Sequence, residues 1–475
     1  MTYTRRSFAL TCGASALAQA PREFRAGAAA VDITPPLGVL LDGTIMENGP
    51  ARHIHDELRA RCLVLDDGSC RLAIVVIDCT MISREVLDQA KQIVHKHTGL
   101  RPDRMLMSAT HSHSAVRAIG VGTGELDREY YAFLIRRIAD SVRVAHNNLA
   151  PARIGWGAGS KPELVFNRRW FMKPGTVPPD PFGGRTDRVQ MNPVDGRVNL
   201  VKPAGPVDPE VAVISVQHAD GRPLAVLANF GFHYAGGYGA GDVSADYFGL
   251  FGTRLARLLK LGESYPPFVG LMSNGACGDV TGADFSRPPV KRAPYVRMGE
   301  VADALAEEAY RVMQRIEHRA WVPLAMLESE LEVGVRRPSA ERLAWARAIW
   351  EKAASKTRHS RPEIYAREAI FLSQYPPSLR LKLQALRIGE LGIAAAPCEV
   401  FSETGLAVKR QSPLRPTFLI ELANGYSGYL PTPQQHEWGG YETWPARSSC
   451  LEVEGETKIR TELGRLLVEV SNSAG

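Results

Sequence analysis

Runs of β-branched and aliphatic residues alternate along this chain with stretches whose apolar side chains recur every three or four positions, the signatures of strands and of amphipathic helices. Residues 58–65 and 71–79 are two such runs, joined by Asp66-Asp67-Gly68, a turn that suits a β-hairpin. Residues 210–217 and 224–230 show the same arrangement across Ala219-Asp220-Gly221. Short apolar strands are predicted at 105–109, 268–272 and 392–396, and helices at 83–97, 128–147, 247–259, 296–316 and 340–354. Interleaving of the two patterns predicts an α/β fold, a mixed β-sheet core with flanking helices, built as a single large domain. The stretch 161–209 is rich in Pro, Gly and Asn and reads as long surface loops, a common place for function. The sequence shows neither an internal repeat nor a low-complexity linker.

Composition narrows the function classes. With 475 residues, 45% of them hydrophobic and 23% charged, the chain can bury a sizeable core. Its 57 Lys and Arg against 51 Asp and Glu are spread without a basic run, which argues against nucleic-acid binding. At the start, Arg5-Arg6-Ser7-Phe8 precedes a short apolar stretch and Ala18-Gln19-Ala20, the form of a twin-arginine export signal over residues 1–20, with the mature chain beginning near Pro21. No later segment has the roughly 18–20 uninterrupted apolar residues of a membrane span. The mature protein is therefore expected to be exported, periplasmic or secreted, and either soluble or in peripheral contact with a membrane. Six cysteines remain after that segment, without CxxC spacing, so no structural zinc knuckle or redox motif is indicated. Cys62 and Cys70 flank the first hairpin turn, and whether they pair is left open by spacing alone.

Candidate chemistry collects at the ends of the predicted strands. After 105–109 comes Thr110-His111-Ser112-His113-Ser114, whose two histidines project to the same side of an extended chain. Neutral imidazole is a common zinc ligand, although two loop histidines serve equally well in hydrogen bonding. His233 lies just past 224–230, with Gly236-Gly237 behind it. The turn Ser273-Asn274-Gly275-Ala276-Cys277-Gly278-Asp279-Val280-Thr281 offers amides and a hydroxyl suited to an oxyanion, or a plain structural turn. Glu399 follows the strand at 392–396, where a carboxylate can ligate metal, act as a base or simply face solvent. A Gly- and Tyr-rich segment runs from Asn424 to Tyr429, with Tyr441-Glu442 downstream.

Taken in order, these residues resemble the neutral/alkaline, non-lysosomal ceramidases, and the resemblance runs from Ala28 to about Leu467. It is carried by Ala30-Val31-Asp32-Ile33-Thr34-Pro35-Pro36, His55-Asp56, the Ser108–Ser114 segment, Phe166-Asn167-Arg168, Ser244-Ala245-Asp246-Tyr247, Gly278-Asp279-Val280, Pro397-Cys398-Glu399, Ala423-Asn424-Gly425-Tyr426 through Tyr429, and Gly440-Tyr441-Glu442. The resemblance implies a catalytic domain over 21–475 with long active-site loops. It implies one Zn2+ per chain held by His111, His233, Glu399 and Tyr429, with His113 and Arg168 stabilising the carbonyl oxygen of an amide attacked by zinc-activated water. The expected substrate is ceramide or a related N-acyl lipid, giving a fatty acid and a sphingoid base. Nothing implies an obligate protein partner.

Two departures qualify the resemblance. The family's Gly-Asp-Val-Ser turn carries Thr281 here, a more crowded hydroxyl that suits substrate binding better than nucleophilic attack, and the Pro-Asn that follows is replaced by Gly282-Ala283. The C-terminal immunoglobulin-like domain of the family is not expected within this sequence. Alternative readings are therefore a zinc amidase or esterase on a non-sphingolipid substrate, or a family member that binds without turnover.

Overall fold

The computed structural model describes residues 22–42, 47–119, 127–262, 266–356 and 358–473; the export signal predicted at 1–20 lies outside them. Two sheets form its centre. The first has eight strands: β1 (Arg25–Asp32), β2 (Arg59–Asp66), β3 (Arg71–Ile77), β4 (Met105–Ala109), β5 (Ala150–Ser160), β6 (Glu210–His218), β7 (Pro223–Phe230) and β8 (Val269–Asn274), ordered β8-β7-β6-β5-β1-β2-β3-β4. The second has four, β9 (Leu324–Gly334), β10 (Ser378–Ile388), β11 (Leu391–Ala395) and β12 (Thr417–Ile420), in sequential order. The longer helices are α1 (Arg84–Thr98), α2 (Arg128–Asn147), α3 (Asp246–Leu258), α4 (Val296–Met313), α5 (Ala340–Ala353), α6 (Arg361–Leu372), α7 (Ser402–Gln411) and α8 (Gly455–Asn472).

Strand alternation sorts the core into layers. Along β2, Cys62 and Val64 pack with Val86, Leu87, Leu134 and Ile138 of α1 and α2. Leu63 and Leu65 point the other way, into a cluster with Leu386, Ile388, Ile393 and Phe418 of the second sheet. Helices α3 and α4 cover the β6–β8 half through Val213, Val226, Phe251 and Leu305, and α8 covers the outer face of the second sheet through Ile459, Leu463 and Leu467. The result is two sheets face to face with helices outside both. Because β2, β3 and β7 are buried on both faces, they read as continuous apolar runs rather than alternating ones.

The topology repeats three times although the sequence does not. Each unit has three antiparallel strands, then a helix crossing over to a fourth strand parallel to the third, then a closing helix: β1-β2-β3-α1-β4-α2, β5-β6-β7-α3-β8-α4 and β9-β10-β11-α7-β12-α8. The long insertion falls each time between the first and second strands, at 33–58, 161–209 and 335–377. The first two units join edge to edge where Arg25 and Ala26 meet Pro151 and Ala150. In β5 a glycine stripe admits the 308–317 segment. A Cβ on Gly155 would sit 2.4 Å from the Glu317 carbonyl oxygen, and one on Gly159 1.8 Å from Glu308 Oε1.

One expectation is corrected and one open question is answered. The 161–209 stretch is not wholly loop: Arg169–Met172 pairs with Val189–Met191 and Leu200–Pro203 in a three-stranded sheet, and Phe166–Asn167 pairs with Val280–Thr281. These strands are too short for a readable period and take their partners from across Pro- and Gly-rich connections. Cys62 and Cys70 do not pair: Cys62 faces Val75 across the hairpin while Cys70 sits at the turn, and the six described cysteines are free. No helix among the described residues is long and apolar enough to cross a membrane.

Candidate metal centre

The parallel pairs β3/β4, β7/β8 and β11/β12 all send their carboxyl ends to one place, where α/β sheets commonly bind ligands. The His111 N–H donates to the Cys79 carbonyl at 2.9 Å, just past β3, and Asn274 Nδ2 donates to the Thr110 carbonyl at 2.9 Å. The Ala109 N–H donates to the Leu422 carbonyl at 3.1 Å, and the Gly278 N–H to the Val400 carbonyl at 2.8 Å. His111 adopts φ 66°, an uncommon left-handed backbone for a non-glycine residue that turns its side chain inward.

Three histidines converge there. The ligating nitrogens of His111, His113 and His233 lie within 4.8 Å of one another, a group able to hold a metal ion. His111 Nδ1 is 2.7 Å from the Thr80 carbonyl and His233 Nδ1 is 3.1 Å from the Cys277 carbonyl. A carbonyl only accepts, so both rings carry their proton on Nδ1 and present an Nε2 lone pair inward. Glu399, on the two-residue strand Glu399–Val400 that pairs with Tyr429–Leu430, faces the same point. Its Oε2 lies 3.4 Å from His111 Nε2 and 3.7 Å from His233 Nε2. That oxygen is buried without a hydrogen-bond partner, while Oε1 accepts from the Tyr426 hydroxyl at 2.8 Å. Two imidazole lone pairs and an orphaned carboxylate oxygen form a donor set that fits a divalent cation, and His113 Nε2 lies 3.2 Å from His111 Nε2 beside it.

The surrounding electrostatics favour the ligating forms. Burial first, then the neighbouring cation of Arg168 and the other histidines, holds His233 well below the usual imidazole range. Burial, His111 and Arg168 do the same for His113, which stacks on Tyr234 at 4.0 Å between ring centroids. Arg168 arrives from the strand beside Val280–Thr281, its N–H bonded to the Asp279 carbonyl at 2.8 Å. Its Nε donates to Glu442 Oε1 at 2.8 Å, and its Nη1 lies 3.5 Å from His233 Nε2. Burial opposes its charge, but Tyr429, Glu442 and Glu399 outweigh it and keep the guanidinium cationic. Arg168 Nη2 is buried with no hydrogen-bond partner, a free donor beside the histidines. The Arg168 guanidinium lies 5.2 Å from the centre of the Tyr429 ring. Thr281 pairs with Phe166 at the edge of this region, half-buried, its Oγ1 accepting from the Ala283 N–H at 3.4 Å. The structure thus brings His111, His113, His233, Glu399 and Arg168 together, with Tyr429 beside Arg168 and Thr281 at the periphery.

The neutral/alkaline non-lysosomal ceramidase N-terminal family model matches residues 24–284, more than half of the chain and the part that supplies the three histidines, Arg168 and Thr281. The chain belongs to the neutral/alkaline non-lysosomal ceramidase family. By class it is an amide hydrolase. Among solved structures, the neutral ceramidase of Pseudomonas aeruginosa is similar in fold, with a TM-score of 0.69 at 17% identity over 95% of this chain and 75% of that one. A ceramidase complexed with C2 gives 0.70 at 17% identity, over 95% and 76%. At that identity the likeness speaks for the fold, which here includes the third repeat that lies beyond the family match.

Several residues that shape this ceramidase-family centre escaped the sequence reading as site residues. Glu442 takes Arg168 on one oxygen and Arg169 on the other, so a single buried carboxylate orients the free Nη2. Glu421, pushed up to about 8 by burial, accepts from the Val400 N–H at 2.8 Å and from the Cys277 thiol at 2.9 Å, tying the Glu399 strand to the carbonyl that orients His233. Asp279 joins Asn167 at 2.7 Å to Ser402 at 2.8 Å. Glu442 and Tyr426 were visible as members of Tyr-rich segments, but no spacing rule marks a residue that acts through another.

Proposed function

We propose that this chain is a zinc-dependent hydrolase that cleaves the N-acyl amide bond of ceramide or a related N-acyl lipid, giving a fatty acid and a long-chain amino alcohol. The observation that carries the reading is Glu399 Oε2, buried, unpartnered and facing two imidazole lone pairs. His111, His233, Glu399 and Tyr429 would hold the ion. When bound, zinc supplies Lewis acidity, polarising an amide carbonyl and lowering the pKa of water to about 7.

The chain's own residues do the rest. Arg168 Nη2 donates to the carbonyl oxygen as negative charge develops on it, and the Glu442 bond fixes that donor before the substrate arrives. His113, only partly buried where His111 and His233 are fully so, faces the substrate and donates to the same oxygen. The Thr281 hydroxyl binds the polar head of the substrate. Tyr426 holds Glu399 so that its free oxygen points at the ion. The three-histidine grouping gives an alternative ligand set in which His113 replaces the carboxylate or the tyrosine. The carboxylate set is favoured because it leaves no buried charged oxygen unpaired. The Arg5-Arg6 segment supports export of the protein, with a lipid substrate met in solution or at a membrane surface.

Product analysis tests the reaction. A short-chain ceramide, an N-acyl amino acid and a simple ester are each incubated with zinc-loaded and chelator-stripped protein, and products are identified by mass spectrometry. Zinc-dependent release of fatty acid and sphingoid base from the ceramide alone is the expected result. Turnover of the others without the ceramide would overturn the lipid assignment.

A further inference from the structure

Away from the metal centre, a cavity of about 330 Å³ opens between the start of α5, the end of α6 and the segments around Phe182 and Trp444. Arg336, Arg337 and Arg342 line it together with Phe182, Leu372 and Trp444. None of the three arginines has a carboxylate partner among the described residues; Arg336 and Arg342 are half-buried and Arg337 is exposed at the mouth. Arg336 donates only to neutral oxygens, the carbonyls of Leu451 at 2.7 Å, Thr443 at 2.8 Å and Ser449 at 2.6 Å and the Ser449 hydroxyl at 2.7 Å, and burial pulls its pKa down to about 10. Arg337 donates to the Ser373 carbonyl at 3.0 Å, and Arg342 lies 3.9 Å from the centre of the Phe182 ring. The acid on the wall, Asp180, accepts on Oδ1 from the N–H groups of Phe182 and Gly184, each at 2.8 Å. Ser339 caps α5 beside these arginines, its hydroxyl accepting from the Arg342 N–H at 3.2 Å.

We propose that this cavity binds an amphiphilic oxyanion, a carboxylate or phosphate head carried on an apolar chain. The guanidinium groups of Arg337 and Arg342 match both head groups, Arg336 being occupied by its four protein oxygens, while Phe182, Leu372 and Trp444 match the chain. A volume of about 330 Å³ is at the lower end for ligand pockets, which suits a head group and a short chain rather than a whole lipid. The assignment stands on the cavity alone and does not depend on the hydrolase reading. Occupancy would bear on the metal centre all the same. Arg336 anchors the carbonyls of Thr443 and Ser449, and the Ser448 carbonyl between them accepts from the Tyr429 N–H at 2.8 Å.

The test is calorimetric titration of the full chain with decanoate below its micellar concentration, dihexanoyl phosphatidate, inorganic phosphate and decanol. The double variant Arg337→Ala/Arg342→Ala is compared with wild type after circular dichroism confirms its fold. Titrations are repeated in His233→Ala, so that product binding at the metal centre does not count. One saturable site for decanoate or phosphatidate is expected, weakened at least tenfold in the double variant and retained in His233→Ala; the tighter of the two names the head group. Phosphate and decanol should each bind at least tenfold more weakly. Absence of saturation with both amphiphiles, affinity unchanged in the double variant, or phosphate binding as tightly as either amphiphile would overturn the assignment.

Discussion

Tyr426→Phe removes one oxygen atom from a buried site and should be felt mainly through the metal. The Tyr426 hydroxyl donates to Glu399 Oε1 at 2.8 Å, and Oε2 of the same carboxylate has no hydrogen-bond partner. A hydrogen bond to a charged group contributes about 1.5–3 kcal/mol. Loss of an outer partner of a ligating group commonly lowers metal affinity by about 10–100-fold, equivalent to about 1.4–2.8 kcal/mol. The two estimates agree in scale because they describe one event: without the phenol the carboxylate is free to rotate away from the two imidazoles. Zinc affinity is measured by competition with a chromophoric chelator at pH 7.5, and the fold is checked by thermal melting of the stripped protein. The variant should bind zinc about 10–100-fold more weakly while still melting cooperatively. Affinity within twofold of wild type would refute the claim that Glu399 is a ligand oriented by Tyr426.

Other perturbations separate the remaining roles. His113→Ala should keep zinc near one ion per chain while activity falls at least about a hundredfold, in the range of lost acid–base or donor groups; loss of the ion would favour the three-histidine ligand set. Arg168→Lys, which cannot supply the free Nη2, should lower kcat by about 10²–10³ with little change in zinc content or KM; a kcat within tenfold of wild type would remove Arg168 from the reaction. Burial pushes the pKa of Lys91 down to about 8, and its ammonium donates to the amide oxygen of Asn424 at 2.7 Å. The unfolded chain therefore binds the extra proton between pH 8 and the ordinary lysine range, so the Lys91 contribution to stability rises with pH across that window, by an amount on the order of 3 kcal/mol, while the buried thiols, whose pKa burial raises, contribute in the opposite sense to wild type and variant alike. Chemical denaturation of Lys91→Met and wild type at pH 7.5 and pH 10 should show the stability of wild type relative to the variant rising with pH; a difference that stays constant would refute the burial of a neutral Lys91.

What could be read from the sequence followed the strength of local signals. The hairpins and the strand at 105–109 were legible because doubly buried strands concentrate Val, Ile and Leu between turn residues, and the observed β2, β3, β4, β6 and β7 differ from the predicted runs by at most two residues at an end. Strands β1 and β5 were not, since β1 is built largely of alanine and β5 carries the glycines that let the 308–317 segment approach, so neither has the β-branched content that marks a strand. Helix α6 was hidden by its weak amphipathicity, whereas α8 was legible in principle, its Ile459, Leu463, Leu467 and Val470 recurring at helical spacing. His111, His233 and Glu399 could be nominated because each follows an apolar run. That they meet depends on three repeated units packing their strand ends together, a property of tertiary structure with no counterpart in sequence spacing. Glu421 and Glu442 are ordinary acids in the sequence, and burial beside other functional groups is what sets them apart.

The central claim is that the chain binds one zinc ion through His111, His233, Glu399 and Tyr429. Elemental analysis of purified wild-type protein beside His233→Ala and Glu399→Gln tests it directly, with hydrolysis of a short-chain fluorescent ceramide followed on the same samples. About one zinc per chain in the wild type, lost in both variants together with hydrolysis, is the predicted result. Wild-type protein that takes up no zinc from a zinc-supplemented buffer, or variants that retain it at full stoichiometry, would contradict it.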